Sequence, residues 1–133
     1  MAIKEESVTD QKNSLTVCLD NILRHAGITR NTEYDLAQGK TAIQILEENM
    51  TGVQVLDLSG CSLDAVLYYV NQDIPVLAIL EDGEAVLVTG FNEFNVVIME
   101  PSTGKLYKKG MNDATTWFAE NGNHVISYMK IEN

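Results

Sequence analysis

Apolar residues recur at three- and four-residue steps through the first part of the chain. In "SLTVCLDNILRHAG", Leu15, Cys18, Leu19, Ile22, Leu23 and Ala26 form one stripe, with Asp20, Asn21 and Arg24 outside it. That spacing predicts an amphipathic helix. Ser14 or Asn13 is placed to cap its N-terminus, and Gly27 to end it in the left-handed conformation. "NTEYDLAQG" predicts a short helix from Asn31 closed by Gly39. "KTAIQILEENMTG" predicts a third helix, capped by Thr41, carrying Ile43, Ile45 and Leu46 and ending near Gly52. The pattern of "VQVLDL" predicts a strand over Val53–Leu58. In "GCSLDAVLYYVNQD" the helical period returns, with Ser62 as cap and Asp64 favoured in the first turn by the helix dipole. Leu63, Val66, Leu67 and Val70 make its buried face.

From Pro75 the pattern changes to strands. "PVLAIL" is a continuous apolar run of the kind covered on both faces, and the Asp82-Gly83 pair after it signals a hairpin into "EAVLVTGF". "VVIME" and "KLYKKG" follow, the latter read as an edge strand guarded by lysines. A helix from about Asn112 to Glu120 and a last strand, "HVISYMK", complete the chain. Helices first and an antiparallel meander afterwards predict an α+β fold, with N-terminal helices packed on a C-terminal antiparallel sheet. Residues 1–12 read as a polar N-terminal segment and 13–133 as a single domain. A chain that opens in polar residues and enters a fold at once is read as part of a longer protein.

Composition narrows the function. The 133 residues suit one core, and 45% hydrophobic with 21% charged residues is ordinary for a globular domain. Nine basic against nineteen acidic residues give a formal charge of −10. This argues against a nucleic-acid partner, which needs clustered Lys and Arg, and disfavours anionic membrane surfaces. No apolar stretch is long enough to insert in a membrane.

The residues able to carry chemistry are few. Cys18 and Cys61 lie among apolar neighbours and read as small buried hydrophobes, with no spacing that favours a disulfide. Cys61, which opens a helix, is the better thiol candidate of the two. His25 shares a helix side with Cys18 but sits about two turns, or roughly 10 Å, away, beyond the reach of a dyad. It is placed instead to interact with the helix C-terminus. Nothing in the sequence pairs His124 with a thiol or carboxylate. No metal-ligand spacing, calcium loop, phosphate-cradling loop or nucleophile elbow is present, so neither metal nor cofactor is expected.

Taken in order, these segments resemble the papain-like cysteine peptidases that cleave double-glycine leader peptides, including the processing domains of bacteriocin exporters. Ser14, Leu19, Ile22 and Gly27 match the register of that family's first helix, and "GKTAIQILEENMTGVQV" and "LDAVLYYVNQDIPVLAIL" match its following passages. The resemblance covers nearly the whole chain. It implies a papain-like fold in which Ser14 occupies the place of the nucleophilic cysteine. Glu84 in "DGEAVLVTGF" would then stand where the family has its general-base histidine, and Glu100 in "MEPSTG" where it has the orienting aspartate. Gln11 is the candidate for the oxyanion glutamine, at too short a spacing. A serine facing two carboxylates lacks the imidazole that takes and returns a proton near neutral pH. The resemblance therefore implies a degenerate peptidase domain that binds a peptide or protein or serves a structural role. Its expected setting is a larger bacterial secreted or envelope protein, on the extracytoplasmic side. The alternative is an active cysteine- or serine-type peptidase.

Overall fold

The computed structural model describes residues 13–131. The elements run α1 (Ser14–His25), α2 (Glu33–Ala37), α3 (Ala42–Asn49), β1 (Val53–Asp57), α4 (Leu63–Val70), β2 (Val76–Ile79), β3 (Ala85–Phe91), β4 (Asn95–Met99), β5 (Leu106–Gly110), α5 (Met111–Glu120) and β6 (Val125–Lys130). The fold is α+β, with one six-stranded antiparallel sheet in the order β1-β6-β2-β3-β4-β5.

The helix ends follow local chemistry. Of the two candidates for the cap of α1, Asn13 takes the role: its Oδ1 accepts from the Leu15 and Thr16 amides. Gly27, at φ +85°, closes the helix. There the Gly27 amide donates to the Arg24 carbonyl and the Ile28 amide to the Leu23 carbonyl, a Schellman pair. Thr41 and Gln44 form the expected cap of α3 as a reciprocal capping box. Ser62 occupies the cap position of α4 without a side-chain bond, and α2 starts at Glu33, later than expected.

The apolar run of β2 is covered on both faces, and its alternation divides the core. Leu77 joins Leu87, Met99, Ile126 and Tyr128 beneath Cys18, Leu19, Ile22 and Leu23 of α1 and Ile45 and Leu46 of α3. Val76 and Ala78 join Val86, Val88, Val96, Ile98 and Val125 against α4 and α5 on the opposite face. The helices thus lie on both sides of the sheet. The strand β1 from the helical half enters the sheet beside β6, and β6 returns between β1 and β2. The lysine-bearing β5 is an edge strand as expected.

Asp20 departs from the helical-stripe reading. It lies outside the apolar stripe yet is buried, because its Oδ1 accepts both the amide (2.8 Å) and the hydroxyl (2.9 Å) of Thr32. The carboxylate ties the loop after α1 to the start of α2. Beside it, Arg30 binds the buried Asp35 with both ends of its guanidinium.

Removing a fully buried side chain leaves a cavity that packed neighbours fill only in part. Leu19→Ala, at 0% exposure, is expected to destabilise the domain by about 2–5 kcal/mol in urea unfolding. Leu106→Ala on the exposed edge strand is expected to stay within about 0.5 kcal/mol.

Candidate functional site

Ser14 is the first residue of α1, and the packing of that helix on the sheet carries it to the start of β3. Its Oγ accepts the Ala85 amide at 2.8 Å. This bond joins the first turn of the helix to the strand directly after Glu84. Glu84 closes the hairpin: its carbonyl accepts the Leu80 amide and its own amide donates to Asp82 Oδ1. Three residues, Glu81 to Gly83, form the tip, with Gly83 at φ +89° as such a loop demands.

Glu100 follows the last residue of β4. Leu87 pairs with Met99, so Glu100 comes level with Val86, close to the strand end that Ser14 touches. Its Oε1 accepts the amide and hydroxyl of Ser102, both at 3.1 Å, which closes the turn into β5. The backbone therefore brings Ser14, Glu84 and Glu100 to one end of the sheet. Gln11 lies outside the described residues.

Cys18 sits one turn after Ser14 at 0% exposure. Burial first, and the Glu100 charge second, push its thiol up to about 12. A thiol in that state is neither nucleophile nor metal ligand at neutral pH. Cys61 is half-buried, and both cysteines are free.

His124 directly precedes β6 at this end of the sheet, where its carbonyl accepts the Ile79 amide, while His25 is at the other end of α1. His25 lies in the last turn, eleven residues beyond Ser14 and roughly 16 Å along the axis, where its Nε2 lies 3.0 Å from the Asp73 carbonyl. His124 Nδ1 contacts Ser59 Oγ at 3.1 Å. The sequence offers no sign of this pair, because it depends on the β1–α4 loop meeting the α5–β6 loop, where the Gly60 amide also donates to the Asn123 carbonyl. The Ser59 hydroxyl and amide, and to a lesser degree the His124 charge, hold Asp57 below the ordinary carboxylate range. Here the hydroxyl stands between acid and imidazole, and its contacts tie the two loops together.

Two grooves border α1. One of about 270 Å³ lies between Asn21 and His25 of the helix and Leu87, Thr89 and Met99 of the sheet. The other, about 720 Å³, lies beyond the C-terminal end of α1. Neither is lined by Ser14, Glu84 or Glu100. Among the described residues no group of three His, Cys, Asp or Glu side chains could hold a metal, and no helix is long and apolar enough to cross a membrane.

Helices on both faces of an antiparallel sheet, with the first helix set against the start of the hairpin strand, define a papain-like α+β fold. A solved structure described as a C39-like peptidase from Bacillus anthracis shares it. The TM-score is 0.76 at 16% identity, covering 92% of this chain and 91% of that one. No protein-family model and no curated protein matches the chain. The likeness is one of fold.

Two outcomes follow from this geometry. Iodoacetamide at pH 7.5 is expected to label native protein at Cys61 while Cys18 reacts only on unfolding, as peptide mapping by mass spectrometry would show. Ser14→Ala leaves the Ala85 amide without its partner. It is expected to lower stability by about 1–2 kcal/mol in chemical denaturation.

Proposed function

We propose that this domain is a peptidase-like module without hydrolytic activity, binding a peptide or protein alongside α1. The observation that carries the reading is the environment of Ser14. Its oxygen is bonded to a backbone amide, and the adjacent residue of the chain at the strand start is Glu84 in place of a histidine. Nucleophilic attack by a serine needs a base within hydrogen-bond reach that can accept its proton. Both histidines have their contacts elsewhere, at Asp73 and Ser59. The carboxylate at Glu100 bonds its own turn, and a second acid at Glu84 would add repulsion and not a proton relay. The thiol at Cys18 is buried and protonated. What the fold does offer is the groove between α1 and β3–β4, with Leu87 and Met99 as apolar floor and Asn21 and Thr89 as polar rim. Concave sites of mixed lining are where proteins take ligands.

The reading is tested in two arms. Wild-type protein is expected to leave double-glycine leader peptides and a degenerate peptide library uncut. Turnover that Ser14→Ala abolishes would establish the active-peptidase alternative. In the second arm the double variant Ser14→Cys, Glu84→His is expected to react with a thiol probe at residue 14 roughly tenfold or more faster than Ser14→Cys alone. Equal rates would show that the two positions do not face one another.

A further inference from the structure

The open edge of β5 carries an inference independent of the groove beside α1. In the β4–β5 register Met99 pairs with Leu106 and Val97 with Lys108. At the two ends of the pair, the Glu100 amide donates to the Lys105 carbonyl and the Met111 amide to the Phe94 carbonyl. Antiparallel partners exchange bonds at every second pair, so Tyr107 and Lys109 bond to β4 as well. The amides and carbonyls of Leu106 and Lys108 therefore point away from the sheet. No loop among the described residues bonds them, and β5 is last in the strand order, which leaves this row open.

The side chains of the strand alternate between two faces. Leu106 and Lys108 share the face of Met99, on the α1 side of the sheet, while Tyr107 and Lys109 share the face of Ile98 and Val96, on the α5 side. Leu106 is 62% exposed and Tyr107 37%. Three of the chain's nine basic residues, Lys105, Lys108 and Lys109, fall within five positions here, in a protein of formal charge −10. Arg30 and Lys40 each have a carboxylate against them, at Asp35 and Glu48. The three lysines of this edge have none among the described residues. Lys109 lies instead over the Trp117 ring, 4.7 Å from its centroid, which holds it on the α5 side. Lysines alone would only keep the edge from pairing. The exposed Leu106 and Tyr107 beside them do the opposite, because they offer apolar area to the side chains of an added strand.

We propose that the β5 edge takes an extended acidic peptide segment as an added antiparallel strand. The segment's backbone bonds to the outward amides and carbonyls of Leu106 and Lys108. Two adjacent carboxylates oppose Lys109 and Lys108, and the two apolar residues after them oppose Tyr107 and Leu106. Antiparallel pairing is slightly the more stable per residue, which sets that order. The lysines decide against a second copy of this chain as occupant. Pairing β5 with β5 brings Lys105, Lys108 and Lys109 of both copies to one seam, and like charges across a ladder destabilise it. At the other edge of the sheet, β1 reads VQVLD and has no lysine or arginine. Acidic charge therefore selects β5.

The test is calorimetric titration with the doubly capped hexapeptide threonyl-glutamyl-glutamyl-valyl-valyl-threonine and three relatives. One relative has lysines for both glutamates. The other two carry an N-methyl group, on the amide of the first valine or of the second. Saturable binding of the parent is expected, and the lysyl peptide is expected to bind about tenfold more weakly or worse. In the proposed register the second valine's amide faces Leu106 and the first valine's faces away from β5. Methylating the second is expected to weaken binding about tenfold, and methylating the first by less than about twofold. Lys108→Glu changes an exposed side chain and is expected to abolish the difference between the glutamyl and lysyl peptides. No saturable binding by the parent, equal loss from the two methyl groups, or a charge preference that Lys108→Glu leaves intact would overturn the proposal. A dimer in sedimentation velocity that the parent peptide dissolves would assign the edge to a second copy and overturn it as well.

Discussion

Strands β2 and β3 are apolar on both faces, and a sheet built on them exposes two surfaces that must be kept from water. The sign of each side chain's face is set by the two-residue period of the strand, so Leu77 and Leu87 look toward α1 while Val76, Ala78, Val86 and Val88 look toward α4 and α5. Covering only one face would leave several Val and Ile side chains in solvent, each worth about 1.5–3 kcal/mol of lost burial. Helices on both sides are therefore a condition of folding. With α1 laid across β3, its first turn meets the start of that strand, and the Ser14–Ala85 bond is the local consequence.

The same constraint explains what the sequence disclosed and what it withheld. Periodicity is local, and the elements it marks form: the stripe of α1, the capping box at Thr41, the hairpin at Gly83 and the lysine-bearing edge at β5 all follow from neighbours within a few residues. The return of β6 between β1 and β2 does not, since it joins residues far apart in the chain, Val53 with Lys130 on one side and Leu77 with Ile126 on the other. Asp20 is a sharper case. By helical period it belongs on the wet side of α1, but the Thr32 amide and hydroxyl reach it from a loop twelve residues later. A buried carboxylate with two donors is stable where an unpaired one would not be, and no pattern of residue types announces that the donors will arrive.

The candidate site divides along the same line. That Ser14 would stand at a helix start and Glu84 at the foot of a strand was legible, because both follow from element boundaries. That the two boundaries meet is a tertiary fact, read here from one 2.8 Å bond. The histidines were legible only as isolated residues; their partners, Asp73 and Ser59, lie 48 and 65 positions away.

Electrostatics at the Ser14 end bears on how far this fold stands from hydrolysis. The thiol nearest to that end, Cys18, feels the Glu100 carboxylate, which adds to burial in keeping it protonated. An anionic nucleophile at the head of α1 would gain from the N-terminal dipole of the helix, worth about 0.3–1 kcal/mol. It would also feel the Glu100 carboxylate, which already acts on the Cys18 thiol one turn further along the helix. Glu84, by the two-residue period of β3, shares the face of Val86 and Val88, so the acid felt along α1 is Glu100.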